Sequence, residues 1–187
     1  MLKRIFILSG VFFVVWSCNC SLSDKEKNSY ETKGKEIAQA SFTALSTELT
    51  KQMKAGGPAL AIPFCNAQAM PITEELSEKY NVTIKRTSDK IRNPQNSPSK
   101  RELEVIEKYK SQIGHENFMP IVEKNDAGNV QFYAPIVVKD KCLVCHGAIG
   151  ENVAVKTDSI IKSLYVNDKA TGYEAGDIRG IWSIEFN

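Results

Sequence analysis

One short motif, Cys142-Leu143-Val144-Cys145-His146, constrains this chain more than any other part of its sequence. It has the C-x-x-C-H pattern that attaches c-type haem. Cysteines three residues apart lie on one face of a helical turn, where each can form a thioether bond to a haem vinyl group. The histidine that follows can then coordinate the iron. The motif therefore predicts a domain built around one covalently bound haem c.

Two other kinds of site use a Cys-x-x-Cys pair. A thioredoxin-like redox pair follows a strand in a βαβ unit and opens a helix, and a structural zinc site needs a second pair of ligands. The sequence has no second Cys-x-x-Cys, and His115 is its only histidine besides His146. Since neither context is present, haem attachment is the favoured interpretation.

The first 17 residues have the features of an export signal. Lys3 and Arg4 precede an apolar run over 5–16, which is shorter than the roughly 20 apolar residues of a membrane-spanning helix. The run ends at Ser17-Cys18, which resembles a bacterial lipobox and predicts lipidation of Cys18. An ordinary signal peptide or an uncleaved anchor is the alternative. Each version exports the rest of the chain, and lipidation would hold it on the periplasmic side of a bacterial membrane or at the cell surface.

Composition and charge exclude one class of partner. The 187 residues are 42% hydrophobic and 25% charged, as expected for one folded domain. Without Lys3 and Arg4, the 24 basic residues fall to the number of acidic ones, 22. A net charge near zero, with no basic stripe, argues against nucleic-acid binding.

The pattern along the chain predicts an α+β domain. Residues 18–36 are polar, lack apolar periodicity and predict a lipidated tether, so the folded domain is expected over 37–187. Apolar spacing of three and four residues predicts helices at about 37–55, 65–80, 99–113 and 153–164. Segments of alternating or turn-bounded character predict strands at about 82–84, 119–123, 130–138 and 178–186. Helices before and between hairpin-connected strands indicate an antiparallel sheet. The third helix should open with a capping box from Ser99 to Glu102 and place Leu103, Ile106, Tyr109 and Ile113 inward.

The second axial ligand of the iron has several candidates in the sequence. Methionines most often fill cores, and a histidine in a loop at a helix end is ordinarily solvated. Cys65 lies on the apolar face of its helix, where Fe(III) would hold it as a thiolate because the metal charge offsets burial. An inert buried cysteine or a disulfide with Cys20 is the alternative. The remaining candidates are His115, Met53, Met70 and Met119.

Two arginines are candidates for binding the haem propionates. Arg86 and Arg92 lie in or beside a polar segment that ends near Pro98. The planar guanidinium group matches a carboxylate with two parallel hydrogen bonds. A solvated charged loop is the alternative for this segment.

Several segments together resemble one family, the exported single-haem c-type proteins with a PAS-like fold that are typified by a small cyanobacterial protein and catalogued as a domain of unknown function. The resemblance covers about residues 37–187. It rests on Cys65-Asn66, Ala69-Met70-Pro71-Ile72, Arg86-Thr87-Ser88, Arg92-Asn93-Pro94, Asn96, Pro98, Glu102, Tyr133-Ala134-Pro135, Cys142 to Gly147, Tyr165, Asp168, Ala170-Thr171-Gly172-Tyr173 and Gly176-Asp177-Ile178-Arg179-Gly180.

The resemblance implies a haem packed on a PAS-like sheet, with His146 and Cys65 as the two axial ligands. If both positions are filled, electron transfer or redox or gas sensing is the natural role, exercised with a redox or signalling partner. A peroxidase-type enzyme with an open haem face is a second hypothesis, which the lack of a convincing distal acid-base pair disfavours. A haem-free lipoprotein binding module is a third, and it leaves Cys142 and Cys145 without a role.

Overall fold

The structure is a computed structural model, and it describes residues 21–114 and 117–187. The predicted signal segment, Cys18, Cys20 and His115 lie outside the described residues. Two long helices come first, and four strands and three shorter helices follow. The helices are α1 (Asp24–Gly56), α2 (Pro58–Tyr80), α3 (Lys100–Lys110), α4 (Leu143–His146) and α5 (Val155–Leu164), and the strands are β1 (Val82–Thr87), β2 (Ile121–Lys124), β3 (Val130–Val137) and β4 (Ile178–Phe186).

The strands form a 4-stranded antiparallel sheet in the order β1-β4-β3-β2. The hairpin between β2 and β3 turns at Asn125, whose backbone nitrogen donates to the carbonyl oxygen of Asn129 across 2.9 Å. The last strand lies between β1 and β3, with Ile184 opposite both Ile84 and Phe132. The predicted α+β class, the antiparallel hairpin and the closing strand are confirmed.

Helices cover both faces of the sheet because strand residues alternate between them. On one face, Ile37 and Ala38 of α1 pack with the even-numbered residues of β3 and β4, such as Phe132 and Ile184. On the other face, α3 packs against the odd-numbered Tyr133 and Ile181. The face under α1 and α2 also carries Arg86 and Trp182, which lie opposite each other on β1 and β4.

Helix α1 begins earlier than the sequence predicts. Residues 24–36 are helical rather than an extended tether, and a capping box between Ser23 and Glu26 opens the helix. Gly34 is buried against the ring of Phe132, where a Cβ atom would collide with it. The segment is polar on its exposed side, and Gly34 has no side chain. The contact therefore leaves no apolar periodicity in the sequence that would predict it. Within the described part of the chain, no helix combines the length and apolar character that a membrane span requires.

Helix α3 confirms the predicted capping box and part of the predicted inward face. The Ser99 hydroxyl accepts from the backbone nitrogen of Glu102, and the Glu102 carboxylate accepts from the backbone nitrogen of Ser99. Of the four residues expected inward, Ile106 and Tyr109 are 0% and 1% exposed, whereas Leu103 and Ile113 are 38% and 47% exposed. Val105 is buried as well, at 1%. Ile113 lies beyond the end of the helix at Lys110, and Glu102 of the capping box is itself buried.

Candidate functional site

The Cys-x-x-Cys-His motif forms a single compact turn. Cys142 ends a 3-10 turn that begins at Asp140, and α4 continues directly to His146. The thiols of Cys142 and Cys145 are free and partly buried. Cys145 packs beside Ile62, Val153, Ile161 and Tyr165, whereas Cys142 packs beside Val138, Ala170 and Tyr173. The turn therefore joins two apolar clusters and presents two free thiols to the same region.

The imidazole of His146 is held in a defined orientation. Its Nδ1 atom lies 2.7 Å from the carbonyl oxygen of Ala170. Since a carbonyl can only accept, Nδ1 carries the proton and Nε2 keeps its lone pair. Burial holds the pKa of His146 well below its usual value of 6.5, and the positive charges of Arg179 and Arg92 lower it further. A neutral imidazole with an available Nε2 is the form that coordinates metals.

The loop that supplies Ala170 is fastened to the motif by backbone hydrogen bonds. The backbone nitrogen of Gly172 donates to the carbonyl oxygen of Gly147 across 2.8 Å, and that of Tyr173 donates to the carbonyl oxygen of His146 across 3.0 Å. The Tyr173 ring stands edge-on to the imidazole, with 6.3 Å between the ring centroids. These contacts fix Ala170 relative to His146.

Arg92 joins this loop to the motif. Its guanidinium forms an ion pair with Asp168, and Nη2 also donates to the carbonyl oxygen of Cys145 across 2.7 Å. The two side chains are only 13% and 5% exposed. Arg92 is predicted to bind haem propionates, and in the described structure its Nε and Nη2 atoms donate to protein acceptors.

Cys65 faces the same region from α2. Burial raises the pKa of its thiol, while the positive charges of Arg86 and Arg92 lower it. Cys65 also acts on the pKa of Cys145, which places the two sulfur atoms within electrostatic range of each other. By contrast, Met119 is 63% exposed. Its carbonyl oxygen accepts from the hydroxyl of Tyr109, a residue of α3 on the other face of the sheet. Among these two sulfur candidates, only Cys65 lies near the motif.

Arg86 lies on β1, on the sheet face that bears Trp182. Its Cζ atom is 5.9 Å from the centroid of the Trp182 ring. Burial lowers the pKa of Arg86, and the groups that act on its charge are Cys65, Arg179 and Tyr165. No carboxylate is among these described neighbours, so the cation lacks the counter-charge that buried arginines normally have.

Arg179 belongs to the site, but the Cys-x-x-Cys-His motif does not predict it. It lies on β4, its Nη1 donates to the carbonyl oxygen of Lys90 across 3.2 Å, and its Cζ is 5.5 Å from the centroid of the Tyr173 ring. Burial lowers its pKa. The next residue, Gly180, passes so close to the carbonyl oxygen of Thr87 that a Cβ atom would collide with it. The segment from Gly176 to Gly180 was the available sequence signal, because it belongs to the stretch shared with the family.

The site thus combines two kinds of group. A neutral imidazole and three free thiols supply nitrogen and sulfur donors, which suit iron and other transition metals. Arg86 and Arg179 supply partly buried positive charge, which suits an anionic ligand. Among the described residues, no group of three or more histidine, cysteine, aspartate or glutamate side chains is arranged so that it could hold a metal ion.

Comparison with known proteins places the chain in a family. The family model described as Tll0287-like matches residues 24–187. The crystal structure of the cyanobacterial haem protein Tll0287 is similar, with a TM-score of 0.58 and 19% sequence identity. The match covers 88% of this chain and 96% of that one, which shows a shared fold. No curated protein matches the chain.

Proposed function

The chain belongs to the Tll0287-like family, and from that premise we propose that it is an exported c-type haem protein with a redox role. In this proposal Cys142 and Cys145 carry the haem through thioether bonds, and His146 and Cys65 coordinate the iron. The observation that carries it is the neutral His146, whose Nδ1 is bound to Ala170 and whose Nε2 is available beside two free thiols on one turn.

The residues present fit a covalent haem. The thiols of Cys142 and Cys145 are on the turn that c-type attachment uses, and His146 has the tautomer that iron ligation requires. Arg86 is the better placed of the two predicted arginines to neutralise a propionate, because it has no carboxylate among its described neighbours. The Phe42 ring on α1 is 40% exposed near Lys141, which directly precedes Cys142, and it would offer apolar contact to the porphyrin.

A bound haem supplies an iron that changes between Fe(III) and Fe(II) by one electron. The chain's own residues would hold the iron through His146 and Cys65 and would place the positive charges of Arg86 and Arg179 in the same region. Cys65 as an anionic thiolate would favour the ferric state and lower the reduction potential. With both positions filled, peroxide has no open coordination site, so electron transfer or sensing is favoured over a peroxidase-type reaction.

We also propose the location that the sequence indicates. An export signal over 1–17 and lipidation at Cys18 would hold the domain at a bacterial membrane or the cell surface, facing the periplasm or the exterior. Because α1 begins at Asp24, the linker from Cys18 to the folded domain would be 18–23 rather than 18–36. The partner would be a protein that exchanges electrons with the haem or reads its oxidation state.

The experiment is to express the full chain in a host that matures c-type haem. We expect the intact mass of the protein to include one haem after denaturation. The ferric protein should give a low-spin EPR spectrum typical of thiolate ligation. A Cys142→Ser/Cys145→Ser double variant is the matched control and should lose the covalent haem.

Other results would support the competing functions. A high-spin, five-coordinate ferric spectrum would contradict the proposed ligand pair and favour an enzyme with an open haem face. Wild-type protein that matures without haem would contradict the haem proposal and favour a binding module.

A further inference from the structure

A buried ion pair connects three parts of the site that are far apart in sequence. Arg92 Nε donates to Asp168 Oδ1 across 3.0 Å, and Nη2 donates to Asp168 Oδ2 across 3.2 Å. The same Nη2 donates to the carbonyl oxygens of Cys145 at 2.7 Å and Ala170 at 3.3 Å. The guanidinium therefore contacts the motif, the loop that orients His146, and the carboxylate that holds it in place.

Asp168 also holds the residue whose carbonyl oxygen accepts from His146. Its Oδ1 accepts from the backbone nitrogen of Ala170 across 3.1 Å. Between Asp168 and Ala170, the backbone nitrogen of Lys169 donates to the carbonyl oxygen of Ile91 across 2.9 Å. Ala170 is thus held through its nitrogen by Asp168 and through its oxygen by Arg92.

The carbonyl oxygen of Ala170 is shared by two donors. His146 Nδ1 lies 2.7 Å from it and Arg92 Nη2 lies 3.3 Å from it. A cationic donor on the same oxygen draws electron density from it, which weakens the bond that it accepts from the imidazole. A weaker acceptor at Nδ1 gives the ring less imidazolate character and makes Nε2 a weaker donor to a metal.

We propose that Arg92 and Asp168 are positioning residues that set the electron donation of His146 through the Ala170 peptide. The inference rests on the proposed haem function for its redox consequence, but not for the hydrogen-bond relay itself. Arg92 limits the electron donation of His146 by competing for the carbonyl oxygen of Ala170. Asp168 holds both the Arg92 guanidinium and the backbone nitrogen of Ala170 in place. A purely structural ion pair would affect stability without changing the imidazole.

The test uses Arg92→Lys, which keeps the positive charge but cannot span both carboxylate oxygens and two carbonyls. The matched control is Arg101→Lys. Arg101 makes the same two-bond pair with Glu123, at 2.7 Å for both bonds, but it lies on α3 at the other face of the sheet.

The first readout needs no haem. In the full chain produced without haem maturation, NMR of selectively labelled histidine reports the His146 Nδ1–H proton. We expect a downfield shift in Arg92→Lys, because the Ala170 oxygen is left to His146, and no shift in Arg101→Lys. Asp168→Asn is the second variant, which releases Arg92 while keeping an oxygen for the Ala170 nitrogen, and it should shift the proton in the same direction. An unmoved proton in both variants would overturn the inference.

The second readout uses the haem-loaded chain. Arg92→Lys should retain covalent haem, change the g values of the ferric EPR spectrum and lower the reduction potential relative to wild type and Arg101→Lys. Loaded protein with unchanged g values and potential would overturn the proposed effect on the iron. Wild-type protein without haem would instead count against the proposed function. The NMR result would still show whether Arg92 and Asp168 act on His146 through Ala170.

Discussion

His146 donates from Nδ1 to the carbonyl oxygen of Ala170 across 2.7 Å, and these residues are 24 positions apart in the chain. The bond joins the turn of the Cys-x-x-Cys-His motif to the loop that precedes β4. It leaves only Nε2 available for coordination. The motif alone places a histidine beside two thiols, but this tertiary contact determines which of its nitrogens is free to bind a metal.

The partly buried, neutral His146 makes the stability of the haem-free chain depend on pH. Its folded pKa lies well below the unfolded value of 6.5, mainly because of burial. The stabilising contribution is therefore present above pH 6.5 and is lost as the pH falls toward the folded pKa. Urea unfolding at pH 7.5 and 5.5 should show a loss of up to about 1.4 kcal/mol per pH unit within this window. His146→Gln should remove that part of the dependence, and an equal slope in both proteins would contradict the argument.

Cys65→Ala tests the thiolate ligand in the haem-loaded protein. The variant should keep its haem, because the thioethers form at Cys142 and Cys145, but lose the thiolate EPR signature. Its reduction potential should rise because an anionic donor is removed. Met119→Leu is the control, since Met119 is exposed on the other side of the sheet and its loss should change neither property. A Cys65→Ala spectrum identical to wild type would exclude Cys65 as a ligand.

Gly34→Ala tests whether the polar start of α1 belongs to the folded domain. A Cβ atom at this position collides with the Phe132 ring, so we expect a destabilisation of about 1–3 kcal/mol. In an unpacked helix or tether the same change would be neutral or stabilise by up to about 1 kcal/mol. Gly56→Ala, at the end of the same helix, meets only the flexible Leu60 side chain and should change stability by less than about 1 kcal/mol. Thermal unfolding measures both, and a stabilised Gly34→Ala would show that α1 does not pack here.

Glu102→Gln should destabilise the domain more than Glu104→Gln on the same helix. Glu102 is 5% exposed and accepts from Lys85 Nζ at 2.8 Å and from the Ser99 backbone nitrogen at 2.7 Å. Burial alone would raise its pKa, but the hydrogen bonds from Lys85, Ser99 and Ser183 lower it below 4.5. Its contribution is therefore present above pH 4.5 and lost as the pH falls below it.

We expect a cost of about 1–3 kcal/mol for Glu102→Gln and less than about 1 kcal/mol for the exposed Glu104→Gln. Chemical denaturation at pH 7 and pH 4 measures both variants. Equal losses would contradict a special role for the buried carboxylate.

Local signals in the sequence predict most elements of this fold. The capping box at Ser99, the turn after Asn125 and the alternation in β4 each depend on residues close together in the chain. The start of α1 could not be predicted in this way, because its packing depends on the absence of a side chain at Gly34 rather than on an apolar residue.

The motif predicts the thiols and the histidine of the site, but not their supports. The pairing of Arg92 with Asp168 spans 76 residues, and it exists because two loops meet beside the motif. From the sequence alone, an arginine in a polar loop looks equally suited to a propionate, to solvent or to a carboxylate. Only the tertiary structure decides among these partners.

The sheet order places the last strand at its centre. During synthesis, Cys142, Cys145 and His146 therefore leave the ribosome before the strand that joins β1 to β3. Until residues 178–186 follow, β1 and β3 have no common neighbour, and the two halves of the sheet cannot form one core. The thiols are thus synthesised while the sheet is still incomplete, and the domain can close around them only after the last strand has followed.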